Sequence, residues 1–258
     1  MQDLFSVKGK TAIVTGGSTG IGAMMTRGLI SNGVKVYTTA RNADVLEATV
    51  KEMNEIGEGE CIGIQSNLAT LEGIEAFTSE VLKCEDKIDI LINNAGASWG
   101  QDIDSFPENG WDKVMDLNVK SIFFLTQKIL PALRAAGEQG NPSRVINIAS
   151  INGIAHPKMD NYSYSASKAA VIQLTRHMAA DLAPDGINVN GIAPGFFPSK
   201  MTKHVLAEEE EFKKRIPTNT LGQPEDAAGA AIYLCSRASN YMCGHTIVID
   251  GGMIANAG

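Results

Sequence analysis

Short runs of β-branched and aliphatic residues alternate with longer amphipathic stretches along the whole chain, and this alternation restricts the fold more than any other feature. The runs are Thr11–Thr15, Val34–Thr38, Cys61–Gln65, Ile88–Ile92, Arg144–Ala149, Ile187–Ile192 and Thr246–Ile249. Helical patterns lie between them, at Gly20–Ser31, Asp44–Ile56, Leu71–Lys83, Trp111–Ala136, Tyr162–Leu182 and Pro224–Cys235. The runs are mostly continuous rather than alternating, as expected of strands covered on both faces. Strand–helix alternation of this kind implies right-handed βαβ units in a parallel sheet with helices on both sides. A chain of 258 residues suits one such α/β domain, spanning 1–258 with about seven strands. Gly137–Ser143 has loop composition, and the long stretch from about 194 to 217 is a candidate lid-like insertion.

Composition narrows the function. The formal net charge of -7 argues against a nucleic-acid partner, which needs a basic face. The densest charge run, Glu208 to Glu211 followed by Lys213, Lys214 and Arg215, reads as a solvated helix surface. Cys61, Cys84, Cys235 and Cys243 are scattered and form no C-x-x-C, which fits reduced thiols in a reducing compartment such as the cytoplasm. His156, His177, His204 and His245 lack metal-ligand spacing, so no catalytic metal is expected. Met1–Lys10 lacks the apolar core of a signal peptide, and no apolar run approaches the roughly 20 residues of a membrane span.

The first strand runs straight into Gly16-Gly17-Ser18-Thr19-Gly20-Ile21-Gly22, and a helical pattern follows at once. Glycines let the backbone turn sharply and approach a pyrophosphate, while the helix N-terminus offers free N–H groups and partial positive charge. A Rossmann-like, doubly wound dinucleotide fold is therefore expected. An NAD site wants a carboxylate near the end of the second strand. Here the residues are Thr38-Thr39-Ala40-Arg41, and the planar fork of Arg41 suits a 2′-phosphate. NADP is favoured over NAD.

The sharpest chemical signal is Tyr164-Ser165-Ala166-Ser167-Lys168. Residues four apart share a helix face, so Tyr164 and Lys168 point the same way. A nearby ammonium favours phenolate and is expected to lower the tyrosine pKa from its ordinary value near 10. So tuned, Tyr164 can hand a proton to a carbonyl oxygen as hydride reaches its carbon, or run the reverse. Tyr162 has Ala166 four residues on and lacks the lysine. Ser150 follows an apolar strand, at the carboxyl end where α/β sites form.

The spacing T-G-x-x-x-G-x-G from Thr15 to Gly22, together with Asn93-Asn94-Ala95-Gly96, Tyr164-x-x-x-Lys168 and Pro194-Gly195, resembles the short-chain dehydrogenase/reductase family over essentially the whole chain. The resemblance implies phosphate contacts from Gly16, Ser18, Thr19, Gly20, Ile21 and Gly22. Thr19 stands where NADP members often carry a basic residue. Asn67-Leu68 would meet the adenine, with Asn67 replacing the usual Asp, and Asn94-Ala95-Gly96 would lie beside the ribose. Ser150 would hold the substrate oxygen, and Asn118 a water linked to Lys168. Lys168 would also bind the nicotinamide ribose. Pro194-Gly195 would sit under the nicotinamide, Phe197 near its carboxamide, and Ser199 where the family has Thr. The family also implies a homotetramer joined through the two longest helices.

Family substrate walls map to Ser98, Trp99, Ile151, His156, Met159, Phe196, Phe197 and Met201, a mostly apolar set. The stretches Asn94–Gly100 and Ala193–Thr202 resemble the family's 3-oxoacyl reductases, which implies a 3-oxoacyl thioester, with another small ketone, polyol or sugar as the alternative. An acyl carrier protein would be a possible partner, docking on a basic patch such as Lys200, Lys203 and His204 or Arg176. A cofactor-sensing regulator without catalysis is the competing class, and the intact Ser150, Tyr164 and Lys168 argue against it.

Overall fold

The computed structural model describes residues 3–138, 140–156, 159–199 and 209–256. Seven strands, β1 (Thr11–Thr15), β2 (Lys35–Ala40), β3 (Glu60–Gln65), β4 (Ile90–Asn93), β5 (Ser143–Ile148), β6 (Ile187–Pro194) and β7 (Thr246–Ile249), form one sheet in the order β3-β2-β1-β4-β5-β6-β7. Every pairing is parallel. The strand order reverses between β1 and β4, so the crevice of a doubly wound sheet opens there.

Helices α1 (Gly20–Ser31), α2 (Ala43–Asn54), α3 (Leu71–Cys84), α5 (Ser121–Ala136), α6 (Tyr162–Leu182) and α8 (Pro224–Cys235) cover the sheet, with the shorter α4 (Glu108–Met115) and α7 (Glu209–Lys213) at its rim. Successive strand residues feed opposite cores. Ala12, Val14, Ile90, Ile92 and Ile146 pack with Met25 and Leu29 of α1, Met53 of α2 and Leu234 of α8. Ile13, Leu91 and Val145 pack with Phe77 of α3, Leu125 of α5 and Leu182 of α6. Two apolar cores on the two faces are why the central strands read as unbroken apolar runs. At the sheet edge the rule relaxes, and β3 turns Glu60, Gly63 and Gln65 to solvent.

The expected helix over Trp111–Ala136 is not continuous. One π turn, Asp116–Lys120, separates α4 from α5. The extra residue of a π turn re-aims a side chain, a device found often at functional sites. Here it turns Asn118 fully inward (0% exposed).

Side-chain caps start several of the helices. Asn42 accepts the N–H of Val45 at 2.9 Å before α2, and Thr70 accepts that of Gly73 at 3.1 Å before α3. Gln223 and Asp226 form a capping box on α8. Thr19 makes no such side-chain bond, leaving the first N–H groups of α1 directed at the crevice. The acidic run lies on the short α7, where Lys213 pairs with Glu209 at 2.6 Å and Lys214 with Glu211 at 2.6 Å on the surface. Of the 194–217 stretch, residues 200–208 lie outside the described residues, and so does Met201.

Candidate active site

A cleft of about 770 Å³ opens at the carboxyl ends of the strands, over the switch point between β1 and β4. At one end lie Gly16, Ser18, Thr19, Gly20, Ile21 and Gly22, which the sequence assigns to a phosphate group. Gly16 and Gly20 have φ of +63° and +56°, a region side chains strain to occupy. Gly22 is required by close approach, because a Cβ there would fall within contact distance of both Asn94 Nδ2 and the Gly16 carbonyl.

Asn94 is what holds this loop. Its Nδ2 donates to the carbonyls of Thr15 at 2.9 Å and Gly16 at 3.2 Å. Thr15 Oγ1 in turn accepts the N–H groups of Asn94 and Ala95, both at 2.9 Å. The end of β4 and the glycine loop therefore form one rigid unit across the crevice. Thr38 braces it from below, its hydroxyl accepting from the Gly17 N–H at 3.0 Å and donating to the Val14 carbonyl at 2.9 Å.

The end expected to take the adenosine is bounded by Arg41, Asn67 and Leu68, and also by Thr39, Ala40, Asn42, Val45 and Ser66. Asn42, Val45 and Ser66 were not singled out in the sequence. Asn67 Oδ1 makes a long contact with the Ala69 N–H at 3.3 Å and is exposed, so the carbonyl oxygen remains open to a ligand. No Asp or Glu lines the cleft among the described residues, and its charged members are Arg41 and Lys168. Arg41 is exposed and has no ion pair among the described residues. A cleft with two cations and no acid, in a chain of net charge -7, fits a polyphosphate with a further 2′-phosphate.

At the other end Asn94, Ala95, Gly96, Ser150, Tyr164, Lys168, Pro194, Gly195, Phe197 and Ser199 close round the cleft. Ser150, at the end of β5, is 7% exposed and caps a short 3₁₀ turn, accepting the Asn152 N–H at 3.2 Å. Hydrogen bonding to Ser150 acts on the Tyr164 phenol. Lys168 is 4% exposed, donates to the Ile148 carbonyl at 2.7 Å, and sits 5.5 Å from the centre of the Tyr164 ring. Serine, tyrosine and lysine thus converge on one wall of the cleft.

The electrostatics correct one expectation. Burial raises the Tyr164 pKa above 10.0, and the hydrogen bond with Ser150 opposes this only in part. Burial also drives the Lys168 ammonium down from 10.5 to about 8. The lysine is aimed at the Ile148 carbonyl, so the protein's own groups hold the phenol protonated rather than depressing it. Tyr162 is exposed, edge-on to Phe106 at 5.9 Å, and takes no part.

Asn118 does not line the cleft. Its Nδ2 donates to the Ala97 carbonyl at 3.0 Å and to Ser167 Oγ at 2.9 Å, and its Oδ1 accepts the Ala97 N–H at 2.8 Å. Of the substrate-wall candidates Phe197 lines the cleft, whereas Trp99, Ile151, His156, Met159 and Phe196 do not. Trp99 lies over the backbone of Gly110, where a Cβ would approach the indole to 2.8 Å, with Lys113 Nζ 5.1 Å from its ring. Ile151 is buried in its 3₁₀ turn. Phe196 stacks edge-on against Phe212 of α7, centroids 4.4 Å apart. His156 and Met159 are exposed.

Residues 10–210 match the sequence model of the short chain dehydrogenase family. The chain is 42% identical over 255 residues to the rhamnolipids biosynthesis 3-oxoacyl-[acyl-carrier-protein] reductase of Pseudomonas aeruginosa, covering 98% of this chain and 99% of that protein. It is 38% identical over 260 residues to the 2-dehydro-3-deoxy-D-gluconate 5-dehydrogenase of Escherichia coli, covering 97% and 98%. Among solved structures it matches the Pseudomonas aeruginosa RhlG/NADP active-site complex with a TM-score of 0.94 at 42% identity, over 98% of this chain and 99% of that one.

Proposed function

Because the chain belongs to the short-chain dehydrogenase family and is an oxidoreductase of CH–OH and C=O groups, we propose that it is an NADP(H)-dependent reductase of a ketone carbonyl, with a 3-oxoacyl thioester as substrate. The observation that carries the reaction class is the convergence of Ser150, Tyr164 and Lys168 on the wall of a cleft whose far end holds the glycine loop and Arg41. NADP would be held by the uncapped α1 N-terminus, Arg41, Asn67, the Asn94–Gly96 backbone and Lys168, and supplies the hydride when bound.

The remaining chemistry belongs to side chains. The Tyr164 phenol, kept protonated by burial, gives its proton to the carbonyl oxygen. The Ser150 hydroxyl hydrogen-bonds the same oxygen and orients it. Lys168, protonated at pH 7 with a pKa of about 8, places positive charge beside the phenolate as it forms. Asn118 holds the lysine's surroundings in place through Ala97 and Ser167.

The relative in rhamnolipid synthesis and the described lining of the cleft support this substrate. A sugar acid, the substrate class named for the gluconate relatives, needs a cation for its carboxylate. Among the described lining residues the cations are Arg41 at the adenosine end and Lys168 at the reacting end, and neither is free for it. The neighbouring Leu117, Ile148, Ala149 and Phe197 are apolar and suit an acyl chain. An acyl carrier protein would dock on exposed Arg176 of α6, since Lys200, Lys203 and His204 lie outside the described residues. The unpaired state of all four cysteines suits the cytoplasm, and the family resemblance supports a homotetramer packed through α5 and α6.

Two assays test this reading. Tyr164→Phe should bind NADPH normally and keep less than about a tenth of turnover, the scale of a lost general acid. A panel of 3-oxoacyl thioesters and keto-gluconates, followed by NADPH consumption, should show higher kcat/KM for the thioesters. Faster turnover of the sugar acids would remove the acyl assignment and leave the hydride chemistry intact.

A further inference from the structure

We infer that Ser167 is a positioning residue for the reaction, its hydroxyl locking the helix of Tyr164 and Lys168 to the Asn118 turn and to the loop beside the lysine. Ser167 lies between the two reactive side chains in sequence but does not line the cleft, and it is completely buried (0% exposed). Its Oγ donates to the Tyr164 carbonyl at 2.7 Å and accepts from Asn118 Nδ2 at 2.9 Å. The hydroxyl's single hydrogen is therefore spent on the catalytic helix, and only a lone pair is left for Asn118.

That lone pair fixes which way the Asn118 amide faces. Flipped, its oxygen would meet a hydroxyl with no hydrogen to give and a second acceptor, the Ala97 carbonyl. In the observed orientation one hydrogen of Nδ2 goes to Ser167 and the other to the Ala97 carbonyl, while Oδ1 takes the Ala97 N–H. Asn118 and the loop after β4 are thus paired as two strands would be, and Ser167 pins that pair to α6. Gly96, on the same loop, lies in the cleft, and a Cβ built there would stand 3.3 Å from Asn118 Oδ1 and 3.8 Å from Lys168 Nζ. Turn, loop and lysine come together round this glycine, so a shift of Asn118 acts on the loop that borders the ammonium. The π turn fits the same role, because Asn118 sits at its centre, buried and within hydrogen-bond reach of α6.

The inference rests on the acid–base reading of Tyr164, and the experiment separates the two. Ser167→Ala, Asn118→Ala and the double variant are compared with Tyr164→Phe, using NADPH oxidation with the fastest ketone of the panel and NADPH affinity by fluorescence. Ser167→Ala should lose about tenfold to a hundredfold in kcat, as expected of a small misplacement at a reacting centre, with NADPH affinity within about threefold of the parent. The double variant should be no worse than Asn118→Ala alone, because residues acting as one unit do not multiply their losses. If Ser167→Ala does not fold, Ser167→Cys, nearly isosteric and a weak acceptor, takes its place with the same expected split. Retention of most of the parent kcat, or losses that multiply in the double variant, overturns the positioning role. Turnover by Tyr164→Phe would instead overturn the acid–base reading.

Discussion

Replacing Lys168 with methionine should make the protein more stable while destroying it as a catalyst. Lys168 is 4% exposed, and its ammonium has the Ile148 carbonyl as its close partner. Burial lowers its pKa from 10.5 to about 8. At about 1.4 kcal/mol per pH unit, holding the charge inside the fold costs on the order of 3 kcal/mol. Methionine occupies similar space without charge and forfeits the bond to Ile148, about 1 kcal/mol. The net gain at neutral pH is about 2 kcal/mol, or roughly 4–8 °C in Tm for a chain of this size. The sign follows from proton counting. Below about pH 8 folded and unfolded chains both carry the proton, and the whole penalty is present. From about 8 to 10.5 the folded lysine sheds its proton while the unfolded one keeps it, so the parent gains stability with rising pH and the methionine variant loses its advantage. Thermal melts of both proteins without added cofactor, at pH 7 and at about pH 9.5, should show a gap that is clear at the first and nearly closed at the second. A methionine variant that melts lower at pH 7, or a gap of equal size at both, refutes the argument.

Two further substitutions probe the cofactor cleft. Arg41→Ala would remove the charge-assisted contact proposed for a 2′-phosphate, and should raise KM for NADPH by about tenfold or somewhat more while leaving NADH unchanged. Because Arg41 is exposed, the difference should shrink in high salt, and an equal change for both nucleotides would remove Arg41 from cofactor selection. Gly22→Ala drives a Cβ into the Asn94 amide and the Gly16 carbonyl, an overpacking worth about 1–3 kcal/mol, so Tm should fall and NADPH and NADH should weaken together. Unchanged Tm and affinity would show that the glycine is not needed for close approach.

What could be read in the sequence was what short-range geometry dictates. The glycine loop needs positive φ at Gly16 and Gly20 and no side chain at Gly22, and only one residue type allows that. Strand ends feed loops at fixed places, so the glycine loop, Arg41 and Ser150 could be assigned to one cleft from their positions after strands, while Asn67, Asn94, Phe197 and Ser199 came from the family resemblance. Helical periodicity also put Tyr164 and Lys168 on one face. It could not reveal the single inserted residue at Asp116–Lys120, because the apolar pattern on either side stays nearly in phase. Nor could it show that the partner of Asn118 is the backbone of Ala97, or that Ser167 is more than a small residue in a tight helix. Trp99 and Phe196 were mapped as substrate walls because the family builds its walls from these segments. Their actual contacts, Gly110 and Phe212, are distant in sequence, and burial of that kind leaves no local trace.

The sign of the tyrosine shift was misjudged for a related reason. Spacing shows that an ammonium and a phenol share a helix face, but not where the ammonium points. Lys168 points at the Ile148 carbonyl, and both groups are desolvated, so each is pushed toward its neutral form. For a reductase this is the useful arrangement. A general acid must arrive at the reaction protonated, and a buried phenol does. The charge that stabilises phenolate matters only after the proton has left, and the lysine, still cationic at pH 7, is then already beside the ring. The oxidative direction starts from phenolate and meets the burial cost before the chemistry begins. The burial that keeps the Tyr164 phenol protonated thus fits the starting state of a ketone reduction.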